Sequence, residues 1–178
     1  MQIQKIILLV INLIGGSAVI GSYIHGFLAH PENKQALWGN VPQGLIPVYT
    51  VSMLLAAAGY LALFFYLLLG VEAADVRVAG RFTFPVFYII YLAILVPSVF
   101  WMPLTHAMIA APSPGLWFAI RFVLWVVGVG ALLLLTAMLC LEPQTPGWAY
   151  FSAVIGSMLV AFQTFVLDAI VWVKFFRI

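Results

Sequence analysis

Five stretches of the chain, at 5–28, 46–69, 84–107, 116–141 and 148–174, are apolar almost without interruption. Each supplies the roughly 20 residues that an α-helix needs to cross a hydrocarbon core about 30 Å thick. Lipid offers the backbone no hydrogen-bond partners, so only helices and closed barrels can span it. A barrel would alternate apolar and polar residues, and these stretches do not alternate. The expectation is therefore an all-α, integral membrane five-helix transmembrane bundle, a single domain covering 1–178. Composition excludes a water-soluble globular domain: 66% of residues are hydrophobic and 7% charged, with a mean hydropathy of +1.19, where soluble domains carry about a quarter charged residues. A net charge of +2, thinly scattered, offers nothing for nucleic acid. Lys5 ahead of an apolar run has the look of a signal peptide, but the run continues to Leu28 without an A-x-A-like site, which favours a retained first span.

The connections collect the turn residues and most of the charge. Apart from the first they are short, which predicts that sequential spans are antiparallel neighbours. Five spans put the termini on opposite faces. Face B, as we name it, holds the first loop and the C-terminus with Lys34, Lys174 and Arg177, and Arg121 sits just inside the fourth span. Face A holds Lys5, Arg77 and Arg81. Basic residues flanking spans favour the cytoplasm, so four against three makes face B the cytoplasmic side.

Polar residues inside the spans are the functional candidates. An ionised group in hydrocarbon costs about 2.5–3.5 kcal/mol on insertion scales, so Asp168 should face the bundle interior or a wet cavity, beside a partner. Its helix agrees: Ser157, Ala161, Thr164, Asp168 and Trp172 recur at α-helical spacing as a small and polar stripe, with Leu159, Phe162 and Val166 off it. In the first span Ser17, Gly21 and His25 form a small-residue face suited to close helix packing. The third span carries Pro97 and Pro103, each of which removes a backbone donor and should bend the helix. Compared by depth, His25, Tyr49, Trp101, His106, Arg121, Asp168 and Trp172 all fall in the face B half. That one-sided polarity suits a pocket opening toward face B. An interfacial belt would account for Trp101, Trp172 and Arg121, but less well for Asp168 and His25. No nucleotide-binding glycine loop, metalloprotease helix, nucleophile elbow or intramembrane carboxylate pair is present. The three histidines show no i, i+4 pairing that would favour a metal or haem. Cys140, the lone cysteine, reads as a packing residue.

The second span opens Pro42-Gln43-Gly44-Leu45-Ile46-Pro47-Val48-Tyr49-Thr50 and continues to Gly59-Tyr60-Leu61, and the fifth holds Leu167-Asp168-Ala169-Ile170-Val171-Trp172. These stretches resemble the tryptophan-rich sensory protein/translocator protein (TspO) family, whose patterns there run roughly P-P-G-W-x-F-x-P-V-W-T…Y-L and L-N-x-x-I-W. Gly15-Gly16 and Gly21 echo its glycine-rich opening. Together the similar stretches cover about a third of the chain. The sequence departs in having Tyr49 where the family has tryptophan, Asp168 in place of asparagine, and a shorter spacing between Gly44 and Pro47. Its third span also lacks the family's Q-L-x-L-N-x-x-W order. The resemblance implies a five-helix bundle that binds a porphyrin, a sterol or a similar hydrophobic ligand in a pocket closed by the first loop, with no cofactor required.

The leading reading is a membrane receptor or carrier for a flat hydrophobic small molecule, with His25, Trp38, Tyr49, Trp101, Arg121 and Asp168 at the pocket. The alternatives are an accessory subunit, as a homodimer or within a larger membrane complex, using the small-residue face of the first span, and a membrane-embedded enzyme acting on a lipid or sterol with Asp168 and His25 as acid and base. The first loop, 29–42, is the longest connection. We expect it to fold over the face B opening with Trp38 directed at the pocket.

Overall fold

The structure, a computed structural model, describes residues 2–144 and 146–176. Arg177, counted above among the basic residues of face B, lies outside them. Among the described residues, five helices are long and apolar enough to cross a membrane. They are α1 (Ile3–Ala29), α2 (Ile46–Phe65, prolonged by a π-helical turn at Tyr66–Gly70), α3 (Val86–Ala110), α4 (Pro114–Leu139) and α5 (Trp148–Phe175). Their boundaries follow local chemistry. Pro114 occupies the first turn of α4, where no backbone donor is missed, and the Ser113 hydroxyl accepts from the Leu116 amide at 3.2 Å as its cap. The outward surface is apolar: Ile14, Leu54, Ile89 and Phe118 are each more than two-thirds exposed. Water would penalise such a surface, whereas hydrocarbon would not.

Packing runs α2–α5–α4–α3–α1, each helix lying chiefly against its neighbours in that series. The predicted pairing of sequential spans therefore holds for α3 with α4 and α4 with α5, but the chief partner of α2 is α5 rather than α3. Two glycines decide this. A Cβ on Gly59 would lie 2.6 Å from the Cα of Gly156, so these two positions are the site of backbone contact between α2 and α5. At that contact any larger residue displaces main chain rather than a pliable side chain. The α1–α2 edge is joined by polar groups: the Tyr60 hydroxyl donates to Asn12 Oδ1, and Asn12 Nδ2 donates to the Leu8 carbonyl at 2.9 Å.

The all-α expectation needs one amendment. At face A, β1 (Arg77–Val78) pairs antiparallel with both β2 (Phe82–Thr83) and β3 (Leu141–Glu142), with Val78 opposite Phe82 and Leu141. The turn joining β1 and β2 places Ala79 and Gly80 at positive φ, 52° and 63°. This small sheet stitches the second and fourth connections together across the end of the bundle. Beneath it the face A half is filled: Leu8, Leu63, Leu67, Phe84, Phe87, Tyr91, Leu134, Met138 and Leu141 are fully buried. Lys5, itself buried, approaches Glu72 at 4.0 Å, and Gln2 Nε2 donates to the other Glu72 oxygen at 2.7 Å. The face B half is not filled.

Candidate functional site: an aromatic cavity at face B

The last helix changes its winding where it reaches Asp168. From Phe162 to Trp172 it is a π-helix, with hydrogen bonds from i to i+5. That winding brings residues five apart together, and Gln163 Nε2 donates to Asp168 Oδ1 at 2.9 Å. The partner that Asp168 demanded is thus an amide on its own helix. Among the described residues no cation lies within ion-pair distance of it; the pairs they form are Lys5 with Glu72 and His30 with Glu32.

Asp168 lines a cavity of about 340 Å³ to which all five helices and the first loop contribute. Tyr23 and Phe27 come from α1, Lys34, Leu37 and Trp38 from the loop, and Tyr49 and Met53 from α2. Ser98, Trp101 and Met102 come from α3, Val123, Leu124 and Val127 from α4, and Gln163, Thr164 and Trp172 stand beside Asp168 on α5. Most of this wall is apolar, and much of it is ring surface. Tyr23 stacks on Trp101 with centroids 5.6 Å apart, Trp101 meets Trp172 edge-on at 5.8 Å, and Trp38 meets Tyr49 edge-on at 5.6 Å. Few polar groups break the wall. Trp101 Nε1 and Gln163 Oε1 are both buried without a hydrogen-bond partner. The Tyr49 hydroxyl, by contrast, donates to the Leu167 carbonyl at 2.8 Å, which bonds α2 to the π-wound stretch.

The first loop lies over this cavity. Its short helical turns at Pro31–Asn33, Ala36–Trp38 and Gln43–Leu45 bury Leu37 and Val41. Two hydrogen bonds tie it to α5: Trp172 Nε1 donates to the Leu37 carbonyl at 3.0 Å, and the Asn40 amide donates to the Phe175 carbonyl at 3.1 Å. Trp38 lines the cavity from the loop side.

Of the six residues singled out from sequence, Trp38, Tyr49, Trp101 and Asp168 meet in this cavity, and two do not. Arg121 is exposed on the outward side of α4, flanked by the exposed Phe118 and Phe122, while Ile120 and Leu124 turn inward. His25 lines a different cavity, of about 320 Å³, between α1 and α3. That second cavity gathers all three histidines of the chain. The rings of His30 and His106 lie 4.5 Å apart, and Asn33 Nδ2 approaches His106 Nδ1 at 3.4 Å. Among the described residues no three metal-ligating side chains are grouped to hold an ion. Because His25 and Asp168 belong to separate cavities, an acid and base pair made of these two is not assembled. Pro103 borders the second cavity, and the Val99 carbonyl, which loses its helical donor to Pro103, accepts from the Ser22 hydroxyl at 2.7 Å.

Sequence reasoning missed Tyr23, Lys34 and Gln163. The signal for Gln163 was its five-residue offset from Asp168, visible only to a reader who anticipated π winding. The small-residue stripe of α1 also faces outward: Ser17, Gly21 and His25 are exposed, and nothing within the bundle approaches a Cβ built on Gly21. Comparison of the chain with protein-family models, with curated proteins and with solved structures finds no match.

Proposed function

We propose that the chain is a multi-pass integral membrane protein that receives or carries a hydrophobic small molecule in the face B cavity. The observation that carries this reading is the cavity itself: about 340 Å³ of mainly aromatic and aliphatic wall, drawn from every helix and covered by the first loop. Ligand sites of this size typically combine an apolar body with a few placed polar groups, and here those include Asp168 and Gln163. A porphyrin, a sterol or a similar flat ligand is the class that the resemblance to the translocator family supports. Face B is the cytoplasmic side in this reading, on the balance of basic residues.

Mass spectrometry of the protein purified in mild detergent tests it. A stoichiometric hydrophobic small molecule, lost when Val127→Trp fills the cavity, is the expected result. Protein that carries nothing, and that binds neither protoporphyrin nor cholesterol on titration, would overturn it. A second reading, an accessory subunit of a membrane complex, rests on the outward-facing Ser17, Gly21 and His25 stripe, a surface on which another helix could pack closely. Stoichiometric partner chains in the same preparation would favour that reading.

A further inference from the structure

The wall of the cavity carries a negative group without a positive one against it. Resting on the ligand-binding cavity of the reading above but departing from its porphyrin or sterol class, we propose that the occupant is a hydrophobic organic cation, an amine on an apolar or aromatic body, whose charge is met by Asp168.

The argument begins with what Asp168 lacks. An ionised carboxylate away from bulk water calls for a positive charge or a full set of donors. Its observed hydrogen bond is with the Gln163 amide. The intramembrane cation that the sequence offered, Arg121, points out of the bundle, and His25 lines the other cavity. Lys34 reaches the cavity wall from the exposed loop, but forms no ion pair with Asp168. An anionic occupant would set like charges together, a neutral one would be met only by the protonated acid, and a cation alone favours the ionised carboxylate.

The remaining wall favours the same class. Tyr23, Trp38, Tyr49, Trp101 and Trp172 surround the cavity with ring surface, and the negative faces of such rings attract ammonium groups, most strongly where water is excluded. Among the described residues the cation seated over a ring is Arg81 on Phe82, at the opposite face, so the cavity rings are not already taken by the protein's own cations. Carboxylate and rings together describe a receptor for a cation with a greasy body, not for a fatty acid or a bare hydrocarbon.

Two probes of nearly equal shape test this on the full chain in lipid nanodiscs, with binding to empty nanodiscs subtracted: the 4-phenylbutylammonium ion and pentylbenzene. By equilibrium dialysis the wild type should bind the ammonium at least about tenfold more tightly, the scale of a desolvated cation–π contact with a counter-ion. Asp168→Asn, which keeps the shape and the capacity to bond Gln163, should cut that preference several-fold, to what the rings alone supply, and leave pentylbenzene within about twofold of wild type. Equal affinity of the two probes for wild type overturns the cation proposal while sparing the hydrophobic cavity. A preference undiminished in Asp168→Asn overturns it as well. If neither probe binds wild type, the cation proposal fails, and the ligand-binding reading stands or falls on the protoporphyrin and cholesterol titrations. The wild-type comparison requires no variant to fold.

Discussion

The two halves of this bundle are built from the same five helices and differ in what lies between them. Toward face A the space is filled by fully buried leucine, phenylalanine, tyrosine and methionine side chains, and the end is stitched by a three-stranded sheet. Toward face B the helices stand around a cavity, and the end is covered by a loop held with two hydrogen bonds to α5. The long π-wound stretch and both internal prolines of α3 fall in or beside the hollow half. Irregular winding alone does not open a cavity, however: the π-helical turn at Tyr66–Gly70 lies in the filled half, where Leu67 is fully buried.

The contrast can be broken most severely where both halves are anchored. Gly156→Leu drives a side chain into the Gly59 backbone, where nothing pliable can yield, and should cost at least about 3 kcal/mol, read as loss of monodisperse protein or a large fall in thermal midpoint. A pair of truncations on α4 sharpens it next. Leu134 is fully buried in the filled half, and Leu124 borders the cavity. Leu134→Ala should therefore destabilise by about 2 kcal/mol more than Leu124→Ala, because the first opens a new void and the second enlarges an old one; equal losses in thermal unfolding would show the halves to be equally packed. Trp38→Ala comes third, costing about 1.5 kcal/mol in ligand affinity from lost apolar contact while the thermal midpoint hardly moves. Unchanged affinity in folded protein would assign Trp38 to anchoring the loop. Smallest is Arg121→Gln, which should leave affinity within about twofold, and a tenfold loss would return Arg121 to the site.

Depth along a helix was legible in the sequence, but azimuth was legible only in part. Alternating direction placed His25, Tyr49, Trp101, Arg121 and Asp168 at one end, and all are found there. Whether each faces the centre depends on the winding of its helix and the neighbours it meets. For Asp168 the stripe of small and polar residues pointed inward correctly, even though the helix there is π-wound, because a turn of either helix brings Thr164 and Asp168 near one another. Arg121 and His25 stand on helices whose inward faces are marked by other residues, Ile120 and Leu124 in one case and Gly26, packed on Met102, in the other. The order of helices around the bundle depends on contacts such as Gly59 with Gly156, which are 97 positions apart in the chain (156 − 59) and share no local pattern. Strands of two residues are too short for alternation to announce them.

Trp172 belongs to two structures at once. Its ring is part of the cavity wall, and its N–H holds the Leu37 carbonyl of the covering loop. For a guest that arrives past the loop, these roles are kinetically linked: a displacement of the indole large enough to widen the interior also strains the bond that keeps the loop shut. On the ligand-binding proposal, the residence time of such a guest would depend on how often the Trp172–Leu37 and Asn40–Phe175 bonds open together as well as on how well the cavity fits it. Two guests of equal affinity could thus differ widely in how long they stay, according to whether they leave that indole where it stands.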